Sequence, residues 1–277
     1  MPLRTSNPLI LTSRPARLSD QQVEQYRREG YLIYPKSIFP QEKFDALKSH
    51  FEEKLSRLAD DVRPEAMDVP HFTDTRLFDW LLSDEILDLV EPLIGPDIAL
   101  FSSHFICKPK GNGKKVPWHE DSFYWKGSLD PMEVVTVWLA IDPSTALNGA
   151  MQVISRTLHG YSEYDQVDPA TNVFPTEIKK AMRDESRAVT IELQPNHASL
   201  HDGRLMHGSP PNHSQIRRCG YTMRYMSTNV KLSEKSREYH QIYLARGRRN
   251  GANVWADPSR SYPELARYRE DSGKTVH

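Results

Sequence analysis

The chain has 277 residues, of which 38% are hydrophobic and 26% charged. That is too long for a peptide hormone or a disulfide knot, but within reach of one large β domain with added elements. The 36 Lys and Arg against 37 Asp and Glu leave a net charge of −1, which argues against a bulk nucleic-acid binder. The opening MPLRTSNPLI lacks the apolar core of a secretory leader, and no stretch approaches the run of about 18 apolar residues that spans a bilayer. The expectation is a reduced, soluble cytoplasmic protein without a membrane or nucleic-acid partner, in which Cys107 and Cys219 pair only if neighbouring strands carry them.

In chain order, the first third reads as helical, over about residues 18–95. Ser19 and Gln22 make a capping box, and Gly30 supplies a stop after 21–29. Pro40 opens a second helix with one apolar stripe through Phe44, Leu47, Phe51, Leu55 and Leu58. Asp74 and Ser83 are candidate caps of two shorter helices that end at Gly95-Pro96.

From Asp97 the period changes. The runs 98–107, 133–141, 150–155, 188–193, 198–202 and 219–227 are short and rich in β-branched or aromatic residues. Turn signals such as Asn148-Gly149 and Pro210-Pro211-Asn212 separate them. Many short punctuated strands predict a sandwich or barrel-like jelly roll over about 97–230, with one helical insertion at 176–183 and a C-terminal extension over 231–277. The whole chain reads as a single domain. The basic run 246–250 reads as solvated surface, with an anion site as the alternative.

Chemistry concentrates around Trp118-His119-Glu120-Asp121. In extended backbone His119 and Asp121 project to the same side, so an imidazole and a carboxylate can meet one metal ion. The triplet alone is weak, since composition predicts about 1.5 His-x-acid matches by chance and the chain holds two. The other, His50-Phe51-Glu52, falls in the second helix, where residues two apart share no face. A third ligand from a distant strand would complete a 2-His-1-carboxylate face. His197, His201, His207 and His213 are the candidates. After His207-Gly208-Ser209 the chain turns and returns through Arg217-Arg218, which would bring a guanidinium beside His207 as a carboxylate clamp. Strand alternation lets one of the two arginines face inward.

The segments WHEDSFYW, VTVWLAID, NGAMQVIS and HGSPPNHSQIRRCGYTMRY resemble the phytanoyl-CoA dioxygenase family of Fe(II)/2-oxoglutarate-dependent oxygenases, over roughly residues 20–245. The resemblance implies a double-stranded β-helix (a cupin-like jelly roll) with the N-terminal helices packed outside. It implies Fe(II) on His119, Asp121 and His207, and 2-oxoglutarate held by Arg218 with help from Ser209. An aromatic wall of the co-substrate pocket then falls on Tyr124 or Trp125. The implied reaction consumes O2 and 2-oxoglutarate, hydroxylates or otherwise oxidises an unactivated C–H bond of a small molecule, and releases succinate and carbon dioxide. Halogenating relatives carry Gly or Ala at the carboxylate position, so Asp121 points to hydroxylation. The chain departs from the family pattern at 155–160, where Ser-Arg-Thr-Leu-His-Gly replaces the usual small-residue and histidine ending.

By area alone, Trp125 and Trp138 read as core fillers, and Asn148-Gly149 as a turn without chemistry. Lys108, Lys110, Lys114 and Lys115 read as a solvated loop; the alternative is an anionic-substrate or 2-oxoglutarate contact, carried here on Lys108. His104 stands between pocket wall and satisfied core histidine, and with Tyr124 forms the expected substrate pocket. The rival functions are a catalytically silent jelly-roll binder and a zinc hydrolase on the same ligands; neither accounts for an arginine placed to grip a second carboxylate.

Overall fold

The computed structural model describes residues 17–59, 62–160, 162–251 and 253–272; the opening residues read above for a leader lie outside them, as do the last five of the C-terminal extension. Helix α1 (Asp20–Glu29) starts at the Ser19/Gln22 capping box and ends where Gly30 adopts φ 82° and donates its N–H to Tyr26 O. Strand β1 (Tyr31–Tyr34) follows, then α2 (Gln41–Leu55), which buries Phe44, Leu47 and Phe51. Leu58 falls beyond the helix end but packs against the same core. Strand β2 (Met67–Asp68) leads to a 3-10 turn capped by the Asp74 side chain, then α3 (Phe78–Leu81) and α4 (Asp84–Ile94), which starts after Ser83 and stops at Gly95.

The β region holds β3 (Ile98–Lys108), β4 (Val116–His119), a helical turn α5 (Asp121–Tyr124), β5 (Leu129–Asp130), β6 (Val135–Ala140) and β7 (Gln152–Ile154). There follow β8 (Tyr164–Gln166), β9 (Thr176–Ile178), β10 (Ala188–Thr190), β11 (Ala198–Asp202), β12 (His207–Ser209) and β13 (Arg218–Ser227). The chain closes with β14 (Lys231–Leu232), β15 (Tyr243–Arg246) and α6 (Pro263–Ser272). The segment 176–183, expected as a helix, instead begins as β9. Ile178 pairs with Tyr164 of β8 and is buried, and only 180–182 coil into a 3-10 turn. Tertiary pairing overrides the helical look of that sequence.

A large antiparallel sheet has the order β1-β11-β6-β13-β3-β15, with β2 beside β3, and faces a smaller sheet β10-β7-β12-β4. Two open antiparallel sheets in this order make a jelly roll. Both faces of the large sheet are covered. On β13, Cys219, Tyr221, Met223 and Tyr225 pack with the N-terminal helices in the main core, whereas Arg218, Thr222 and Arg224 turn towards the smaller sheet. Period-two alternation therefore makes this strand the partition between hydrophobic core and polar cavity.

One expectation, that of reduced cysteines, is corrected here. Cys107 and Cys219 face each other across the β3–β13 ladder at a Cα–Cα distance of 4.1 Å and are joined as a disulfide, because the register pairs them directly. In the basic run Arg248 and Arg249 are exposed, as expected of solvated surface, whereas Arg246 bonds to Asp84, Asp88 and Glu91 of α4. Among the described residues, no helix is long and apolar enough to cross a membrane.

Candidate metal centre

β4 and β12 are neighbours in the smaller sheet, with His119 and His207 directly paired in register. Asp121 follows one extended residue later, as α5 begins. All three side chains are buried, and one ligand atom from each lies within 4.8 Å of the others. The intervening Glu120 points away and accepts hydrogen bonds from Ser162 Oγ (2.7 Å) and Ser162 N (3.1 Å).

The imidazoles are oriented by main chain. His119 Nδ1 donates to Pro117 O (2.8 Å) and His207 Nδ1 to Leu205 O (2.9 Å), each a carbonyl two residues earlier. A carbonyl only accepts, so the ring proton sits on Nδ1 and the Nε2 lone pair faces the cavity. Nε2 of His119 is 3.6 Å and that of His207 3.9 Å from Asp121 Oδ1. Burial holds the His207 imidazole well below its usual pKa, and the nearby His119 adds to this, so His207 stays neutral. Burial raises the Asp121 carboxyl, but Arg224 and the surrounding imidazoles override it and hold Asp121 well below the usual carboxylate range. The Nε2 atoms of both imidazoles and the Asp121 carboxylate thus face one another, an arrangement that a cation resolves. Two imidazoles and one carboxylate suit a divalent iron-type ion with positions left for other ligands.

Beyond the triad, Arg218 is buried on β13. Its Nε and Nη2 donate to Gly149 O (3.1 and 2.8 Å), and Nη2 also reaches Ser209 Oγ (3.1 Å). Gly149 sits at φ 81°, with its missing Cβ against Pro210 O, so the Asn148-Gly149 turn, read as inert, seats the arginine. Arg218 also lies over the Trp138 ring (5.3 Å), and Gly220 leaves the room that this indole occupies. Trp138 lines the cavity rather than serving only as core filler. Arg217 faces the opposite way and pairs with Asp142 and Glu52, which leaves Arg218 as the inward arginine.

Lys108 is not part of a solvated loop. It is fully buried at the end of β3, and its Nζ donates to Ser209 O (3.2 Å) and Pro210 O, beside Arg218. Burial and the Arg218 charge both push its pKa well down. Lys114 and Lys115 are tied to Pro169 O and Glu177, and Lys110 is exposed.

His104 lines the cavity, and its Nε2 donates to Glu65 O (3.0 Å). Tyr124, expected in the pocket wall, does not line the cavity; its ring is 5.9 Å from that of His119 and its hydroxyl near Thr176 Oγ1 (3.4 Å). Trp125 does not wall the cavity. The helical turn after Asp121 carries it into a separate apolar cluster against Phe101. Of the other candidate third ligands, His213 is exposed, His197 is half-buried outside the cavity, and His201 faces the far carboxylate oxygen of Asp121. Arg224 and Thr136, which with His201 gather around Asp121 Oδ2 at 3.4, 3.5 and 3.9 Å, were not among the sequence-derived roles.

Fold and site together define a jelly-roll protein in which two imidazoles and one carboxylate, a set that could hold a metal ion, converge near a buried arginine. A profile of the phytanoyl-CoA dioxygenase (PhyH) family matches residues 17–220, and the chain belongs to that family. It is 30% identical over 153 residues, 54% of its length, to a probable alpha-ketoglutarate-dependent hypophosphite dioxygenase of Stutzerimonas stutzeri, of which the match covers 52%. The chain spans about half the length of the curated relatives it matches. Among solved structures, the non-heme monooxygenase ThoJ in its apo form superposes with a TM-score of 0.71 at 23% identity, covering 91% of this chain and 94% of that one. EvdO2 of Micromonospora carbonacea var. aurantiaca complexed with 2-oxoglutarate gives 0.63 at 20% identity, covering 78% and 94%. Both likenesses support the jelly-roll fold.

Proposed function

We propose that this protein is an Fe(II)- and 2-oxoglutarate-dependent dioxygenase that oxidises a small molecule. The observation that carries this reading is the placement of Arg218, a buried and pre-oriented guanidinium, beside three converging metal-ligand side chains. His119, Asp121 and His207 would hold the iron. Arg218, steadied by Gly149 O and Ser209 Oγ, would take the far carboxylate of 2-oxoglutarate, and Lys108 adds positive charge at that end. With its co-substrate, the bound iron supplies oxidation by O2, with release of succinate and carbon dioxide.

The chain's own residues do the rest. The two carbonyl-anchored imidazoles present preset lone pairs, Asp121 contributes one oxygen and keeps the other in hydrogen bonds, and the buried walls exclude water from the reacting centre. A hydrolase or a silent binder gives Arg218 nothing to hold. The relative's name points to a small phosphorus oxyanion as one substrate to try first. Anaerobic titration of the Fe(II)-loaded protein with 2-oxoglutarate tests the reading: a weak visible charge-transfer band is expected. Its absence at confirmed metal content would refute it.

A further inference from the structure

β13 presents a second buried guanidinium to the cavity. Arg224 is 3% exposed and lies over the Trp125 ring at 5.5 Å. Its hydrogen bonds to protein are long, 3.4 Å from Nε to Asp121 Oδ2 and 3.3 Å from Nη1 to Ser102 Oγ. Charge-assisted bonds normally close to about 2.7–2.9 Å, so the group is held in place without being saturated. Beside it stands His201, 2% exposed, with Nε2 at 3.9 Å from the same carboxylate oxygen. Among the described residues, neither ring nitrogen of His201 has a hydrogen-bond partner. A buried imidazole without a hydrogen bond is costly, as is a buried guanidinium held only by long ones.

Both groups line the cavity on the Oδ2 side of Asp121, away from Oδ1, which faces the imidazoles of His119 and His207. Arg218 is six residues away on the same strand, at its other end. Charge points the same way. Among the described residues, the cavity wall carries one carboxylate, Asp121, and two guanidinium groups, Arg218 and Arg224. Asp68 stands behind His104, at 3.8 Å, and is not part of the wall. A divalent iron and a 2-oxoglutarate dianion cancel, so the wall retains one positive charge. A low-dielectric cavity with one unmatched charge favours a ligand of opposite sign.

We infer that Arg224 and His201 form the substrate-recognition site, binding a small oxyanion, a carboxylate or phosphorus oxyanion with one negative charge, on the Oδ2 side of Asp121. This rests on the function proposed above and narrows it to acidic substrates.

The test compares acids with their near-isosteric amides. The probes are acetate against acetamide, propionate against propionamide, and methylphosphonate as the phosphorus arm. Each is titrated by calorimetry into the zinc(II)-loaded, 2-oxoglutarate-saturated protein, which does not turn over. Wild type should bind at least one acid about tenfold or more tightly than its amide, and the arm that responds identifies the oxyanion class. In Arg224→Gln that ratio should fall towards one, whereas Arg224→Lys should keep part of it and His201→Leu should lower it severalfold. Equal binding of acids and amides by wild type, or no binding of any acid, overturns the inference whatever the variants do. So does an Arg224→Gln protein that loses metal or binds both probe types more weakly by one factor, because Arg224 would then only position Asp121. Failure of the underlying reading shows separately, as a missing 2-oxoglutarate band in the Fe(II) protein.

Discussion

Replacing Arg218 with alanine should separate co-substrate binding from metal binding. In the folded chain the guanidinium spends Nε and Nη2 on Gly149 O and Ser209 Oγ, which locks its plane and leaves the two N–H groups of Nη1 for a carboxylate. Hydrogen bonds to charged groups contribute about 1.5–3 kcal/mol each. Losing a two-pronged contact therefore weakens 2-oxoglutarate by about 3–6 kcal/mol, or roughly 10²- to 10⁴-fold. The variant also orphans the Gly149 carbonyl, at about 1–3 kcal/mol, so a lower Tm is expected alongside. Arg217→Ala is the matched control. Arg217 pairs outward with Asp142 and Glu52 and is partly solvated, so its loss should cost about 1 kcal/mol of stability and change 2-oxoglutarate affinity less than about twofold. The assay is anaerobic titration of 2-oxoglutarate into each Fe(II)-loaded protein, followed by the visible band, with iron content measured in parallel. Unchanged affinity in Arg218→Ala, or the larger loss in Arg217→Ala, would refute the assignment of the clamp.

Three further outcomes are expected. Asp121→Ala should lower divalent-metal affinity by at least about 10²-fold, because one of three proposed ligands disappears, and with it the only cavity-wall carboxylate among the described residues; calorimetric titration with Fe(II) or Zn(II) that matches wild type would contradict this. Gly220→Ala should lower Tm by several degrees at an expense of about 1–3 kcal/mol, since a Cβ there collides with the Trp138 indole; an unchanged melting curve would show that the indole yields freely. Burial lowers the pKa of His50, His104 and His207 from the ordinary 6.5. Each therefore contributes stability that is complete above that value and lost as pH falls below it, where the unfolded chain takes up protons that the folded one resists. Urea unfolding of the apoprotein should show stability declining below about pH 6.5 by up to about 1.4 kcal/mol per pH unit per histidine, and a flat profile from pH 7.5 to 5.5 would contradict this.

Much of this site is written in local sequence. His119 and Asp121 stand out only once the other His-x-acid match, at His50, is placed in a helix, and the run from His207 to Arg218 sets a candidate ligand, a turn and a returning strand in one stretch. The capping box at Ser19 and the stop at Gly30 mark α1 to within a residue. What stayed hidden depends on register and on side-chain direction. Cys107 meets Cys219 only because β3 and β13 pair in one particular alignment across a separation of 112 residues. Trp125 follows Asp121 closely in sequence, but α5 rotates it out of the cavity. Ile178 sits among charged residues with helical spacing until β8 supplies its partner. Arg224 left a readable trace that went unused: positions 218, 220, 222 and 224 alternate on β13, so an inward Arg218 implies an inward Arg224.

The imidazole anchors carry a consequence for how this centre can vary. Metal-binding histidines are commonly steered by a carboxylate side chain, which mutation can delete. Here the steering atoms are Pro117 O and Leu205 O, and every amino acid brings a carbonyl to those positions. Sequence drift can therefore remodel the surroundings of the two rings, and with them the choice of substrate, while the protonated nitrogen and the direction of each lone pair are inherited with the course of the backbone.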